Sequence, residues 1–532
     1  MSNTLPTEAG TGLSVNPGSS RIIGSLTAGC LAAGLSTAIF GLTPTINGVI
    51  AAKLAISGSE LNWVGDAMFA GAVLASYPFV SLANRVGRKR LLLLSCVIAV
   101  VGFVIGGLST SVQVLWVGQA LVGIGAGGLG AISLQVVLNA GTDPRYRVRD
   151  LALFSGSLAG GGIASALVGG FLGTHRYDVP FYAMAVVSAV VLTFTVVLCR
   201  ESRDPEPAPI DWAGQGLLAL SLFAVLWSVI QGSADGWGNG TVIVGYVVAV
   251  VAFVAFVLVE RREGAMLVLS LFRQGGFAAA GLVAFVTFLA YAGGMYVFSI
   301  RFGIVQGRTP LFVAMGVVVI SVVSGVAGYL SRYVLAARFG AKVLVVVGLA
   351  CFAVADLWFA AMPLAWRSFS SQLGFMVLMG IGMAVSIAGM TTVAVNAVSH
   401  ADESAAASNQ AVLRQAGGPV AVAVIGAVTF SSAAGAFTRN MTAAHLPASV
   451  QALAAGLASH AGVLGVLESG FGAKEPAVGA AAVTALNSGL VSAAQVLAIV
   501  CLVTAVVALV FVPGSAKPAE VAVQASEEVG AA

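Results

Sequence analysis

Three charged side chains stand inside stretches that otherwise carry no charge: Asp66 in "NWVGDAMF", Asp356 in "VADLWF" and Arg414 in "NQAVLRQAGG". A carboxyl group in apolar surroundings can take up and release a proton, so Asp66 and Asp356 are candidate proton-coupling groups. A fixed guanidinium can hold an anionic or carbonyl-bearing molecule, and Gln415 beside Arg414 adds an amide donor and acceptor. Plainer roles stay open. Asp66 fits a solvated carboxylate favoured by the dipole at a helix start, Asp356 fits a contact with interfacial water, and Arg414 fits a side chain snorkelling to the surface.

A fourth feature is "SLANRVGRKR", Ser81 to Arg90, in which Arg85, Arg88, Lys89 and Arg90 crowd between two long apolar runs. Small pairs one helical turn apart, Gly123 with Gly127, Gly156 with Gly160 and Gly169 with Gly173, are suited to close approach of helix backbones. Other chemistries lack their residues. The chain has no GxxxxGK[ST] phosphate cradle, and its four His residues show no metal or triad spacing. Enzyme chemistry, ATP-driven pumping, a cofactor and a metal are therefore not expected. Cys30, Cys96, Cys199, Cys351 and Cys501 all fall in apolar runs and read as small buried hydrophobes.

The elements that must position these residues are membrane helices. Of 532 residues, 58% are hydrophobic and 9% charged, against roughly 25% charged in a soluble domain. Apolar runs of about 20 residues, each able to cross about 30 Å of hydrocarbon, recur at 22–50, 61–82, 91–110, 112–139, 149–172, 180–199, 211–231, 241–260, 277–300, 310–332, 342–362, 370–396, 408–430 and 487–512. That makes an all-α integral membrane protein of fourteen spans. The net charge of +4 lies in short loops rather than on one soluble face, so nucleic acid is not an expected partner. Loop Lys and Arg favour the side of the N-terminal tail, which places both termini in the cytosol. Trp63, Trp116, Trp237 and Trp366 then fall near the outer interface.

Internal similarity divides the chain. "RVGRK" at 85–89 recurs loosely as "RFGAK" at 338–342, "GIG" at 123–125 recurs at 380–382, and Asn139 corresponds to Asn396. The spans parse as six, two inserted, and six. The expected organisation is a tail at 1–21, a six-helix bundle at 22–200, two inserted helices with polar linkers at 201–276, a second six-helix bundle at 277–512 and a tail at 513–532. The stretch 431–486, polar and rich in Ala, Gly and Ser, reads as a long external loop with room for some helix. Two repeated bundles without a fuel site suit a secondary transporter, in which a midplane site is exposed to each side in turn.

Several of these motifs carry a resemblance that runs over nearly the whole chain. "SLANRVGRKRLLL" resembles GxLaDRxGRKxxl, the loop motif of major facilitator superfamily transporters, with Arg85, Gly87, Arg88 and Lys89 in place and Ser81 and Asn84 replacing its Gly and Asp. "DWAGQGLL" at 211–218, "ERR" at 260–262, "LFR" at 271–273 and "RQAGG" at 414–418 resemble the fourteen-spanner drug:proton antiporters of that superfamily. In helix five, "GIASALVGG" keeps Gly169 and Gly170 of the antiporter motif, preceded by Gly161, while Ser165 and Ala166 replace its Gly and Pro. Leu35 stands where the family has a carboxylate, and Gln119 where it has an Arg implicated in proton relay.

The resemblance implies export of a small amphipathic compound, a drug, toxic compound or secreted metabolite, across the bacterial cytoplasmic (inner) membrane. Proton entry would drive it through atypical coupling residues, with Asp66 and Asp356 as candidates and Gln119, Arg414 and Gln415 lining the cavity. Asn84, Arg85, Gly87, Arg88 and Lys89 would form the gating loop. Partners implied are the small-molecule substrate, membrane lipid and a periplasmic adaptor protein. An uncoupled facilitator or importer of a small metabolite, and a non-transporting membrane receptor, are the alternatives.

Overall fold

The computed structural model describes residues 17–140, 144–174, 176–203, 210–262, 269–331, 336–398, 403–444, 447–468 and 471–512. Helices α1 (Pro17–Leu54), α2 (Gly58–Val86), α3 (Arg88–Leu108), α4 (Val112–Ala140), α5 (Pro144–Leu172) and α6 (Asp178–Leu198) form one bundle. An antiparallel pair follows, α7 (Trp212–Asp235) and α8 (Gly240–Val259). The second bundle comprises α9 (Gly275–Ser299), continued by a π-helical turn at Ile300–Val305, then α10 (Pro310–Leu330), α11 (Ala336–Ala361), α12 (Leu373–Asn396) and α13 (Glu403–Ala443). Two shorter helices, α14 (Ala448–Glu468) and α15 (Phe471–Lys474), lead to its last member, α16 (Pro476–Phe511). Among the described residues there is no strand, and 14 helices are long and apolar enough to cross a membrane. The chain is a multi-pass membrane protein. The end of the bundles holding the α2–α3 turn is called terminal below, because α1 starts and α16 ends there; the other end is distal.

Local chemistry sets the helix ends. Ser57 and Glu60 make a capping box at the start of α2: the Glu60 amide donates to Ser57 Oγ at 3.3 Å and the Ser57 amide to Glu60 Oε2 at 2.7 Å. Gly87, at φ +129°, breaks α2 from α3. The corresponding turn of the second bundle has Gly340 at φ +76°, so both members of the repeated loop place glycine where an L side chain is strained. Asp211 caps α7 by accepting from the Gly214 amide at 2.8 Å.

The same neighbours recur in each bundle. Helix α1 packs on α4, α5 and α6 as α9 packs on α12, α13 and α16, and α3 meets α6 as α11 meets α16. The bundles meet through α2 with α13 and α5 with α10, and α7 lies against both α2 and α13. The inserted pair thus sits outside one seam.

Two expectations change. The stretch 431–486 is mostly helix: α13 runs on to Ala443, α14 covers 448–468 with a kink at Gly462 (φ +70°), and α16 begins at Pro476. Alanine is the best helix former and sustains these helices where polarity alone suggested a loop. The glycine pairs also differ among themselves. A Cβ on Gly123 or Gly127 would stand 1.9 or 2.2 Å from the Met68 or Ala72 carbonyl oxygen, so α2 and α4 touch backbone to backbone there. Gly156 and Gly160 have, among the described residues, nothing within 4 Å of where a Cβ would stand.

Candidate functional site

A polar layer lies between the bundles in the distal half. Asn47 on α1 donates to Ser299 Oγ at 3.3 Å, and Ser299 in turn donates to the Pro44 carbonyl at 2.5 Å. The Tyr296 hydroxyl on α9 donates to Asn62 Oδ1 on α2. Just distal to them, a Cβ on Gly48 would be 2.9 Å from the Gly303 carbonyl oxygen. Closer to the terminal end the bundles are joined by Ser76 on α2, which donates to Gln415 Oε1 on α13 at 2.6 Å.

Asp66 sits one turn below Asn62, at 0% exposure rather than at a solvated helix start. Neither of its carboxyl oxygens has a hydrogen-bond partner among the described residues, and it lies within electrostatic reach of Tyr296. Gln119 is also buried, donating to Thr43 Oγ1 at 2.8 Å and the Val64 carbonyl at 3.3 Å, so it ties α4 to α1 and α2 instead of facing an open cavity. Asp356 on α11 is equally sealed at 0% exposure, with neither oxygen hydrogen-bonded among the described residues, 3.7 Å from where a Cβ on Gly294 would be and close to Cys501. The two carboxyls are not brought together. Helix α9 stands between them, with Tyr296 toward Asp66 and Gly294 toward Asp356.

Arg301 is a third charged residue at 0% exposure, in the π-helical turn that ends α9. It donates to the carbonyls of Phe359 and Met362 at 2.9 and 2.5 Å, at the C-terminal end of α11, and lies 4.8 Å over the Phe359 ring. Because it follows the apolar run 277–300 directly, the sequence reads as a loop cation. The π turn carries the helix one turn further and takes Arg301 inside.

Arg414 is partly exposed, makes no hydrogen bond or ion pair among the described residues, and lies 5.4 Å over the Phe288 ring. One turn on, Gly418 leaves room for Phe69, which stacks on Phe40 with centroids 5.2 Å apart. Its neighbours in register place Arg414 deep: Ser76 and Phe288 are about 15 and 20 Å from the terminal ends of α2 and α9 at 1.5 Å per residue.

At the α2–α3 turn, Arg88 donates to Asn84 Oδ1 at 3.1 Å. The Arg88 amide meets the Ser202 carbonyl at 2.8 Å, the Lys89 ammonium the Val196 carbonyl at 2.7 Å, and Arg90 the Glu201 carboxylate at 3.4 Å. These bonds tie the turn to the end of α6 in its own bundle. On α5, a Cβ at Gly161 would be 1.9 Å from the Gly34 carbonyl oxygen and one at Gly169 2.0 Å from Thr45 Oγ1, both against α1, whereas Gly170 faces Ala314 on α10 at 2.7 Å. The side chains of Arg338 and Asn396, named in the repeated motifs, lie outside the described residues.

A distal cavity of about 330 Å³ sits over the Gly48–Gly303 contact; Lys53 and Arg308 are its charged lining residues, with Thr45, Thr174 and Thr309.

Known proteins agree with this architecture. The structure is similar to a bacterial homologue of the human lysosomal transporter Spinster in an inward-facing, unoccupied conformation, with a TM-score of 0.62 and 16% identity over 94% of this chain and 98% of that one. It is similar also to the nucleoside transporter NupG, with a TM-score of 0.60 and 13% identity over 92% and 100%. In sequence it is 27% identical to the multidrug resistance protein Stp of Mycobacterium tuberculosis over 71% of this chain and 70% of that protein. To the tetracenomycin C resistance and export protein of Streptomyces glaucescens it is 25% identical over 75% and 74%. The family model of the Major Facilitator Superfamily matches residues 28–418. With fourteen spans, two bundles repeated about a central seam and a sequence matched over most of its length, the chain belongs to the major facilitator superfamily, whose members are membrane transporters rather than enzymes.

Proposed function

We propose that the chain exports small amphipathic compounds, drugs or secreted metabolites, across the bacterial cytoplasmic membrane in exchange for protons. The relatives named for multidrug resistance and for tetracenomycin C export support the cargo class. The observation that carries the coupling is Asp66, sealed without a hydrogen-bond partner among the described residues beside the Asn62–Tyr296 bond that joins the bundles. A buried carboxyl without partners is tolerable when neutral and costly when ionised, so its protonation and the arrangement of the bundles are linked. Asp66 takes a proton when the bundles part distally, carries it as the neutral acid into the distally closed state, and gives it up toward the terminal side when cargo binds there, which completes the exchange. Asp356, on the other side of α9, is a second carrier.

The cations of the α2–α3 turn support a cytosolic terminal end, and the hydrogen bonds gathered distally support an inward-facing arrangement. Asn84 and Arg88 serve this cycle by stiffening the turn on which α2 and α3 move.

The test uses purified protein in proteoliposomes with an imposed pH gradient, and a panel of toxic compounds that includes tetracenomycin C. Adding a substrate should move protons, and Asp66→Asn or Asp356→Asn should slow that movement at least tenfold. Substrate flux indifferent to the gradient would sink the antiport reading.

A further inference from the structure

Within the membrane-spanning helices, Asp66, Asp356 and Arg301 are sealed at 0% exposure, while Arg414 keeps part of its surface open. Whatever enters between the bundles near α13 therefore meets a positive charge, with both interior carboxyls shut away. Deep in the membrane such a cation is costly unless something compensates it, and among the described residues Arg414 has only the face of Phe288, at 5.4 Å. Its guanidinium keeps donors suited to carboxylate-like oxygens. Beside it, Phe288 and the stacked pair Phe69–Phe40, all three partly exposed, offer aromatic surface to a flat apolar body.

The far end of the route repeats the sign. The distal cavity lies directly over the Gly48–Gly303 contact that must open for release, and the charges lining it, Lys53 and Arg308, are both cations. A cationic cargo would be repelled at both stations. An anionic one would be met at both.

We infer that the cargo is an aromatic compound bearing an anionic oxygen, a carboxylate or an ionised phenol or enol, held by Arg414 against the Phe288, Phe69 and Phe40 rings and received distally by Lys53 and Arg308. The inference rests on the export reading and names its substrate class.

Binding to the purified full-length protein in lipid nanodiscs tests it without requiring transport. Two fluorescent probes share a xanthene ring system and differ in charge: fluorescein, an anion, and rhodamine 123, a cation. Fluorescence anisotropy should show fluorescein bound about tenfold or more tightly than rhodamine 123, the low end expected of a charge-assisted hydrogen bond. Arg414→Gln should remove that preference and Arg414→Lys restore part of it. The wild-type comparison stands by itself if Arg414→Gln does not fold. Equal or tighter binding of rhodamine 123, no binding of fluorescein, or a fluorescein affinity unmoved by a folded Arg414→Gln protein would overturn the inference. Flux measurements separate it from the export reading: fluorescein bound in an Arg414-dependent way but not moved by proteoliposomes under any gradient would end the export reading and leave the substrate class standing.

Discussion

Arg301 ends α9 by filling the acceptors that α11 leaves open at its C-terminus, donating to the carbonyls of Phe359 and Met362. A cation there also faces the negative end of the α11 dipole, which lets a full charge sit at 0% exposure without a carboxylate beside it. Arg301→Met keeps the apolar stem and removes the donors. Two buried carbonyls then lose partners, at about 1 to 3 kcal/mol each, so the melting temperature in detergent should fall by several degrees; an unchanged melting curve would show the two bonds contribute nothing net. Asp66 and Asp356 are the opposite case, sealed with no hydrogen-bond partner among the described residues. Their types were legible as candidate proton groups because charge in an apolar run stands out. Their burial was not, since a position five or six residues from a span's end is compatible with either water or protein until the neighbouring helix is known.

Helix α4 shows why glycine spacing needs the partner helix to be interpreted. Gly123 and Gly127 press on carbonyl oxygens of α2, whereas Gly156 and Gly160 on α5 share the same spacing and have no described atom within 4 Å of where a Cβ would stand. Gly123→Ala should force α2 and α4 apart and cost about 1 to 3 kcal/mol as overpacking, read as lower thermal stability and reduced yield of folded protein. Gly156→Ala should be neutral or stabilising by up to about 1 kcal/mol, from helix propensity alone. If the two variants melt alike, the backbone contact at Gly123 is not what limits the pairing. The same lesson holds for 431–486: its Ala content supports helix, its Gly and Ser content supports loop, and packing of α14 and α16 against α13 tips the balance.

For the whole molecule, the arrangement of the bundles turns on a few bonds at the distal end. The Tyr296 hydroxyl, the Asn47–Ser299 pair and the Ser299–Pro44 bond cross from one bundle to the other. Tyr296→Phe deletes one of them and leaves Asn62 with fewer partners. A loss of about 1 kcal/mol would raise the distally open population roughly fivefold. Spin labels at positions 53 and 309, on opposite bundles beside the distal cavity, would report a longer distance component if so; a distance distribution identical to that of the parent would rule out the bond as a latch.

Fourteen spans, two related six-helix groups and an inserted pair could be stated from the chain alone, because hydrocarbon thickness and the cost of exposed backbone in lipid allow only long apolar helices. The turn at Gly87 was equally plain, since cations and glycine between two spans admit few other structures. Which way each helix faces was decided by packing. Only the folded bundles show that Asp66 and Asp356 flank α9, that Arg301 is inside, that Gln119 bonds to α1 and α2, and that Arg414 keeps an open face. A helix that is apolar all round gives no moment to orient it, so rotation about its axis, and with it the difference between a sealed carboxyl and a ligand-facing cation, is settled by contacts with its neighbours.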